Sequence, residues 1–155
     1  MFILIAAMLV TVWVPQPTGS TAELRGISVY AAKRAWASGS GGTVLRTRDG
    51  GPWEKLPAPA GGEALDFRDI EALDGDTVVL MSAGPGAASR IFRSTDGGKT
   101  WADITENLPR AGAEPIFVHP LTGDVMIGSA FGTWLYPPPY GSPGAIWRRL
   151  KPHFE

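Results

Sequence analysis

Few residues in this chain are equipped for chemistry, and their spacing limits what they can do. Cysteine is absent, and the two histidines, His119 and His153, lie 34 positions apart. No thiolate nucleophile, disulfide, iron-sulfur cluster or imidazole metal cage can be assembled from that inventory, so neither a metal nor a cofactor is expected. Three carboxylates cluster at Asp66, Asp69 and Glu71. Side chains alternate along a strand, so Asp69 and Glu71 would share one face and Asp66 the other, and spacing alone assigns no general acid and base pair. No catalytic residue is assigned.

Two arginines say more. Leu24-Arg25-Gly26-Ile27 and Phe67-Arg68-Asp69-Ile70 set Arg25 and Arg68 at matching places 43 residues apart. Two guanidinium groups on neighbouring strands would form an anchor for a carboxylate or an acidic peptide terminus. The plain alternative is that each pairs with a nearby acid, Asp66, Asp69 or Glu71, or stays solvated. A second candidate surface is Leu135-Tyr136-Pro137-Pro138-Pro139-Tyr140-Gly141. Its prolines favour an extended conformation that loses little entropy on docking, and Tyr136 and Tyr140 would be its contact residues; otherwise it is a passive long hairpin. The closing Arg148, Arg149 and Lys151 cluster reads as a solvated strand face, too small to attach the chain to a membrane.

The elements that must position these residues come from a repeat. Of 155 residues, 44% are hydrophobic and 19% charged, enough apolar surface for one globular domain. A formal charge of −1 gives no long-range attraction to phosphate, so nucleic acid is not an expected partner. Val44 to Leu56 (VLRTRDGGPWEKL) matches Arg90 to Ile104 (RIFRSTDGGKTWADI), with Asp49 and Asp96 separated by 47 positions. Tryptophans 53, 101 and 147 follow the same rhythm, at spacings of 48 and 46.

Within each unit the apolar residues fall in short runs bounded by Gly, Pro, Asp and Ser, which is a strand pattern with almost no helix. The first unit, residues 24–56, reads as strands from Leu24, Arg34, Thr43 and Trp53; the second, 64–104, from Leu65, Thr77, Ser89 and Trp101; the third, 114–150, from Glu114, Asp124, Gly132 and Ala145. Four-stranded units at this period indicate an all-β partial propeller of about three antiparallel blades, an incomplete ring. Either the chain is a fragment, or the ring closes through a partner or by self-association.

Ser94, Asp96, Gly98, Thr100 and Trp101 spell S-x-D-x-G-x-T-W. A tight hairpin needs positive φ at its tip, which Gly97 and Gly98 tolerate, while the Asp96 carboxylate can accept the unpaired turn amides and Trp101 packs beneath. Thr47, Asp49, Gly51 and Trp53 form a degenerate copy with Pro52 before the tryptophan, and the third unit replaces the turn with Pro137 to Gly144. These motifs resemble the Asp-box, or bacterial neuraminidase, repeats of sialidase-like propellers.

Among such proteins, Trp13-Val14-Pro15-Gln16, Gly19-Ser20-Thr21, Leu24-Arg25-Gly26-Ile27, Ala35-Trp36-Ala37-Ser38-Gly39 and Thr43-Val44-Leu45-Arg46-Thr47 make residues 13–101 most similar to the photosystem II stability and assembly factor family. The resemblance implies an exported or luminal propeller of about seven blades that binds other proteins, and the shortage of catalytic groups makes a non-enzymatic platform the leading reading. The alternative is a fragment of a carbohydrate-active hydrolase of the sialidase type. Phe67-Arg68-Asp69-Ile70 only faintly echoes the arginine motif of those enzymes, however, and the tyrosines at 30, 136 and 140 have no acidic neighbour in sequence.

The amino terminus points the same way. Phe2 to Val10 is an unbroken apolar run, shorter than the roughly 20 residues that cross a bilayer and suited to the core of a secretory signal, without the usual basic start. Residues 1–12 are therefore read as a partial signal-like segment that directs the chain to a periplasmic or extracellular location. The competing reading is a buried strand, with Leu9 to Val14 as the last strand of a preceding blade.

Overall fold

A computed structural model describes residues 14–109, 113–139 and 145–151. The signal-like segment and all but the last residue of the Leu9–Val14 strand lie outside them; Val14 itself is exposed coil. Twelve strands and a single three-residue 3-10 turn, Gly86–Ala88, make up the described structure. Among the described residues no helix is long and apolar enough to cross a membrane.

The strands form three four-stranded sheets, each antiparallel and each running in chain order from first strand to fourth. Blade 1 holds β1 (Leu24–Ala31), β2 (Arg34–Gly39), β3 (Thr43–Thr47) and β4 (Glu54–Leu56). Blade 2 holds β5 (Phe67–Ala72), β6 (Val78–Ser82), β7 (Arg90–Ser94) and β8 (Ala102–Asp103). Blade 3 holds β9 (Ala113–Val118), β10 (Val125–Ser129), β11 (Trp134–Tyr136) and β12 (Arg148–Arg149). The first strands pack on one another in sequence, β1 on β5 and β5 on β9, so they line the inner edge of the array. This is a partial β-propeller.

The period-2 alternation of strands explains the core. In β6, Val78 and Leu80 turn toward blade 1 and Val79 and Met81 toward blade 3, so Val-Val-Leu-Met is apolar without interruption because both of its faces are covered. The first interface buries Trp36, Val44 and Leu56 against Phe67, Ile70, Leu80 and Phe92. The second buries Met81 and Ile91 against Ile116, Val118, Val125, Ile127, Tyr136 and Trp147. Each fully buried aliphatic or aromatic side chain contributes about 1.5–3 kcal/mol, so the faces between sheets hold the array together.

Close approach of the first strands depends on one glycine. A Cβ at Gly26 would sit 2.6 Å from Ser38 Oγ and 2.9 Å from the Asp69 backbone, so a side chain there would wedge blade 1 from blade 2. Polar ties reinforce the inner edge. Ser28 Oγ donates to Glu71 and accepts from the Ala72 amide, and Asp69 accepts from the Ile116 amide at 2.8 Å, linking β1 to β5 and β5 to β9.

Candidate functional site

The start of each first strand opens on one rim, and there the two sequence-matched arginines meet. Arg25 Nε donates to Asp66 Oδ1 at 2.7 Å, while Arg68 Nε lies 2.7 Å from Asp66 Oδ2. One carboxylate is thus gripped from both sides, by β1 of blade 1 and β5 of blade 2. Arg25 also donates through Nη2 to Glu23 at 2.7 Å. Of the two alternatives that the sequence left open, pairing with a nearby acid is the one that forms, and it also brings the arginines together.

Beside this cluster is an open recess of about 620 Å³ that touches all three inner strands, with Leu24 and Arg25 from blade 1, Arg68, Asp69 and Met81 from blade 2, and Pro115 from blade 3. Arg25 is one-third exposed and Arg68 half exposed. Among the described residues Asp66 is the only partner of Arg68, which leaves its two terminal nitrogens available to an incoming acceptor. Asp69, by contrast, is committed: its carboxylate accepts from the Ile70 and Ile116 amides. Glu71 lies farther along β5, where burial pushes its carboxyl above the usual range despite the hydrogen bond from Ser28. The three clustered acids therefore have three separate structural partners, and they do not form an acid and base pair.

Tyr136 corrects the sequence reading. It was expected on an exposed recognition loop, but it is fully buried between blades 2 and 3, its ring 5.1 Å from that of Trp147. The alternation of β11 places it on the face of Val118 and Val125, so it fills the core. Tyr140, the other member of that pair, lies outside the described residues.

The Ser94–Trp101 turn forms a dense hydrogen-bonded unit. Asp96 Oδ1 accepts from the amides of Lys99 and Thr100 and from the Ser94 hydroxyl, and Oδ2 accepts from the Thr100 hydroxyl at 2.6 Å. That hydroxyl, with the Thr100 amide and Ser94 behind it, holds the Asp96 carboxyl far below the ordinary carboxylate range. Gly97 and Gly98 take φ of 75° and 79°. In the degenerate copy Gly50 donates to Thr47 and Gly51 to Asp49, and among these residues only Gly50 has positive φ.

Sequence reasoning missed the residues that receive this turn. Arg46, 2% exposed, donates to the Gly97 carbonyl at 2.7 Å and to Glu54 at 2.8 Å, and its guanidinium lies over the Trp36 ring. The signal was present in the register, since Trp36 pairs with Arg46 and Arg46 with Glu54 on one face of blade 1. Nor does Trp101 serve only its own hairpin. Its Nε1 donates to Pro57 O, just past the last strand of blade 1, and Trp147 Nε1 donates to Ile104 O, just past the last strand of blade 2. The second and third of the repeating indoles thus fasten blade 2 to blade 1 and blade 3 to blade 2.

No protein-family profile and no curated protein matches the chain. Solved structures do. One described as YCF48 bound to a D1 peptide superposes with a TM-score of 0.64 at 19% identity, covering 87% of this chain and 42% of that one. YCF48 from Cyanidioschyzon merolae matches with a TM-score of 0.59 at 25% identity, covering 87% of this chain and 38% of that one. The chain therefore spans about two-fifths of the length of the structures that it matches. Its fold is that of a YCF48-like β-propeller, of which three blades are described.

Proposed function

We propose that this protein is a non-enzymatic propeller that serves as a docking platform for protein partners, of the photosystem II assembly factor type, and that it acts after export to a periplasmic or extracellular space. The convergence of Arg25 and Arg68 on one carboxylate, beside a recess shared by three inner strands, carries this reading. An acidic side chain or a peptide terminus entering the recess would meet the free nitrogens of Arg68 and compete with Asp66 for both guanidiniums, a charge-assisted contact with directional preference. That a matching propeller is described as bound to a D1 peptide supports a peptide as the occupant. The hydrogen bonds that the Asp96 carboxylate accepts across the Ser94–Trp101 turn support the reading of this hairpin as an Asp-box repeat. The apolar run Phe2–Val10 supports export.

The test is fluorescence anisotropy with labelled peptides that differ only in a free or amidated carboxyl terminus. The free form should bind more tightly, and Arg25→Ala with Arg68→Ala should abolish the difference. Equal binding of both forms by the unaltered protein would remove the rim from consideration.

A further inference from the structure

We propose that the joint between blades 2 and 3 binds a free planar heteroaromatic molecule of indole size, carrying a ring N–H, in a recess bordered by Glu71, Val79 and Arg93. The inference does not depend on what the arginine rim binds. It starts from one row of residues that the strand register sets side by side on the face each blade turns to the next. In blade 1 the row is Ser28, Trp36 and Arg46, across β1, β2 and β3. In blade 2 it is Glu71, Val79 and Arg93, across β5, β6 and β7. The first row is closed. Its indole is 0% exposed, the Arg46 guanidinium lies 5.1 Å from the ring centroid, and Gly98 covers the ring so closely that a Cβ there would lie 3.1 Å from it.

The second row keeps the cation and loses the ring. Valine stands where blade 1 has tryptophan, and a partly enclosed recess of about 160 Å³ opens there, walled by Leu73, Val79 and Val118, with Glu71, Arg93 and Gly123 around it. Tyr136 and Trp147 fill this joint from the outer strands of blade 3 and do not line the recess. An engineered apolar cavity of about 150 Å³ binds benzene, so one ring fits this volume and a fused second ring can extend toward the opening. Blade 1 shows how such a ring is held. A guanidinium can keep its N–H partners and still offer its flat face, as Arg46 does while donating to Gly97 and Glu54. Arg93 presents the same face to a ring lodged on Val79. Glu71, in the place of Ser28, adds an acceptor: among the described residues Ser28 is the only donor to its carboxylate, at Oε2, which leaves Oε1 for a ring N–H. Burial already raises that carboxyl, so the bond would form in a partly dry site, where it is stronger than at the surface. The recess has room for the ring but not for a peptide backbone carrying it, which favours a free molecule over a partner's side chain.

The test is an NMR titration of the protein with indole and with benzofuran, which has the same shape with oxygen in place of the N–H. Indole should shift the amides of Val79, Val118 and Gly123 and bind about tenfold more tightly than benzofuran, the weight of a hydrogen bond to a charged acceptor. Glu71→Gln removes that charge and should narrow the ratio. Val79→Trp rebuilds the blade 1 arrangement in blade 2; it should melt at a higher temperature and no longer respond to indole. The proposal is overturned by silence of those amides in the unaltered protein, by equal binding of the two probes, by an unchanged ratio in Glu71→Gln, or by undiminished binding in Val79→Trp. N-acetyltryptophanamide should bind more weakly than indole. Equal or tighter binding would assign the recess to a tryptophan of a partner peptide and overturn the free ligand.

Discussion

The two interfaces between blades solve one packing problem with different parts. Between blades 1 and 2 the hairpin of the later blade is a short glycine turn that drops onto Arg46 and Trp36 of the earlier one; a Cβ on Gly98 would lie 3.1 Å from the indole. Between blades 2 and 3 that turn is replaced by a longer loop, and the residue matching Trp36 is Val79. There the joint is filled from the later blade by Tyr136 and Trp147, while Asn107 exchanges hydrogen bonds with the Trp147 backbone in both directions. A motif defines the first joint and bulk defines the second. The lesson is that loss of the recognisable turn does not unmake the interface, because aromatic volume moves to the opposite side of it.

The largest test of this contrast is Trp147→Ala. It removes a fully buried ring and the donor to Ile104 O, and should cost about 3–5 kcal/mol in chemical denaturation. A cost below about 1 kcal/mol would show that the second joint is held elsewhere. Arg46→Met keeps the bulk against Trp36 but leaves the buried Gly97 carbonyl without its donor, at a cost of about 1–3 kcal/mol. If the first joint rests on that contact, hydrogen exchange should quicken at Gly98 and Thr100 and leave the Tyr136 region unchanged.

Smaller effects at the first joint depend on pH, and in opposite directions. Asp96 has a folded value held below its unfolded one, so its contribution is present above the usual carboxylate range and declines as pH falls below about 4. Asp96→Asn should therefore melt at a lower temperature than the parent at pH 7, with the gap narrowing in acid; a gap of constant size would show that the ionised form is not what the turn needs. Glu71 runs the other way. Burial raises its folded value, so its contribution is greatest below about pH 4 and is lost as pH rises through that value. Glu71→Gln, which can still accept from Ser28, should raise the melting temperature slightly at neutral pH and leave it unchanged in acid.

How legible these features were in the sequence depends on their range. Strand alternation and the Asp-Gly-Gly turns are local, so β1 to β8 could be placed from the residues alone. The tryptophan spacing was visible too, but its purpose was not, because Pro57 and Ile104 accept from indoles 44 and 43 residues away. Tyr136 was misread for a related reason. Three prolines beside it signal a loop, yet one residue earlier the strand still runs, and strand parity decides that its ring points into the second joint. The arginine pair stood between these cases: its period was readable, while its common partner Asp66 lies in the connector between blades and follows no period.

The backward reach of the indoles bears on how such a chain can change by gene rearrangement. Each donor lies in one unit and its acceptor at the exit of the unit before, so duplicating or deleting a whole repeat preserves every pair, whereas a breakpoint inside a repeat orphans one. An array fastened this way can grow or shrink only in steps of a full module.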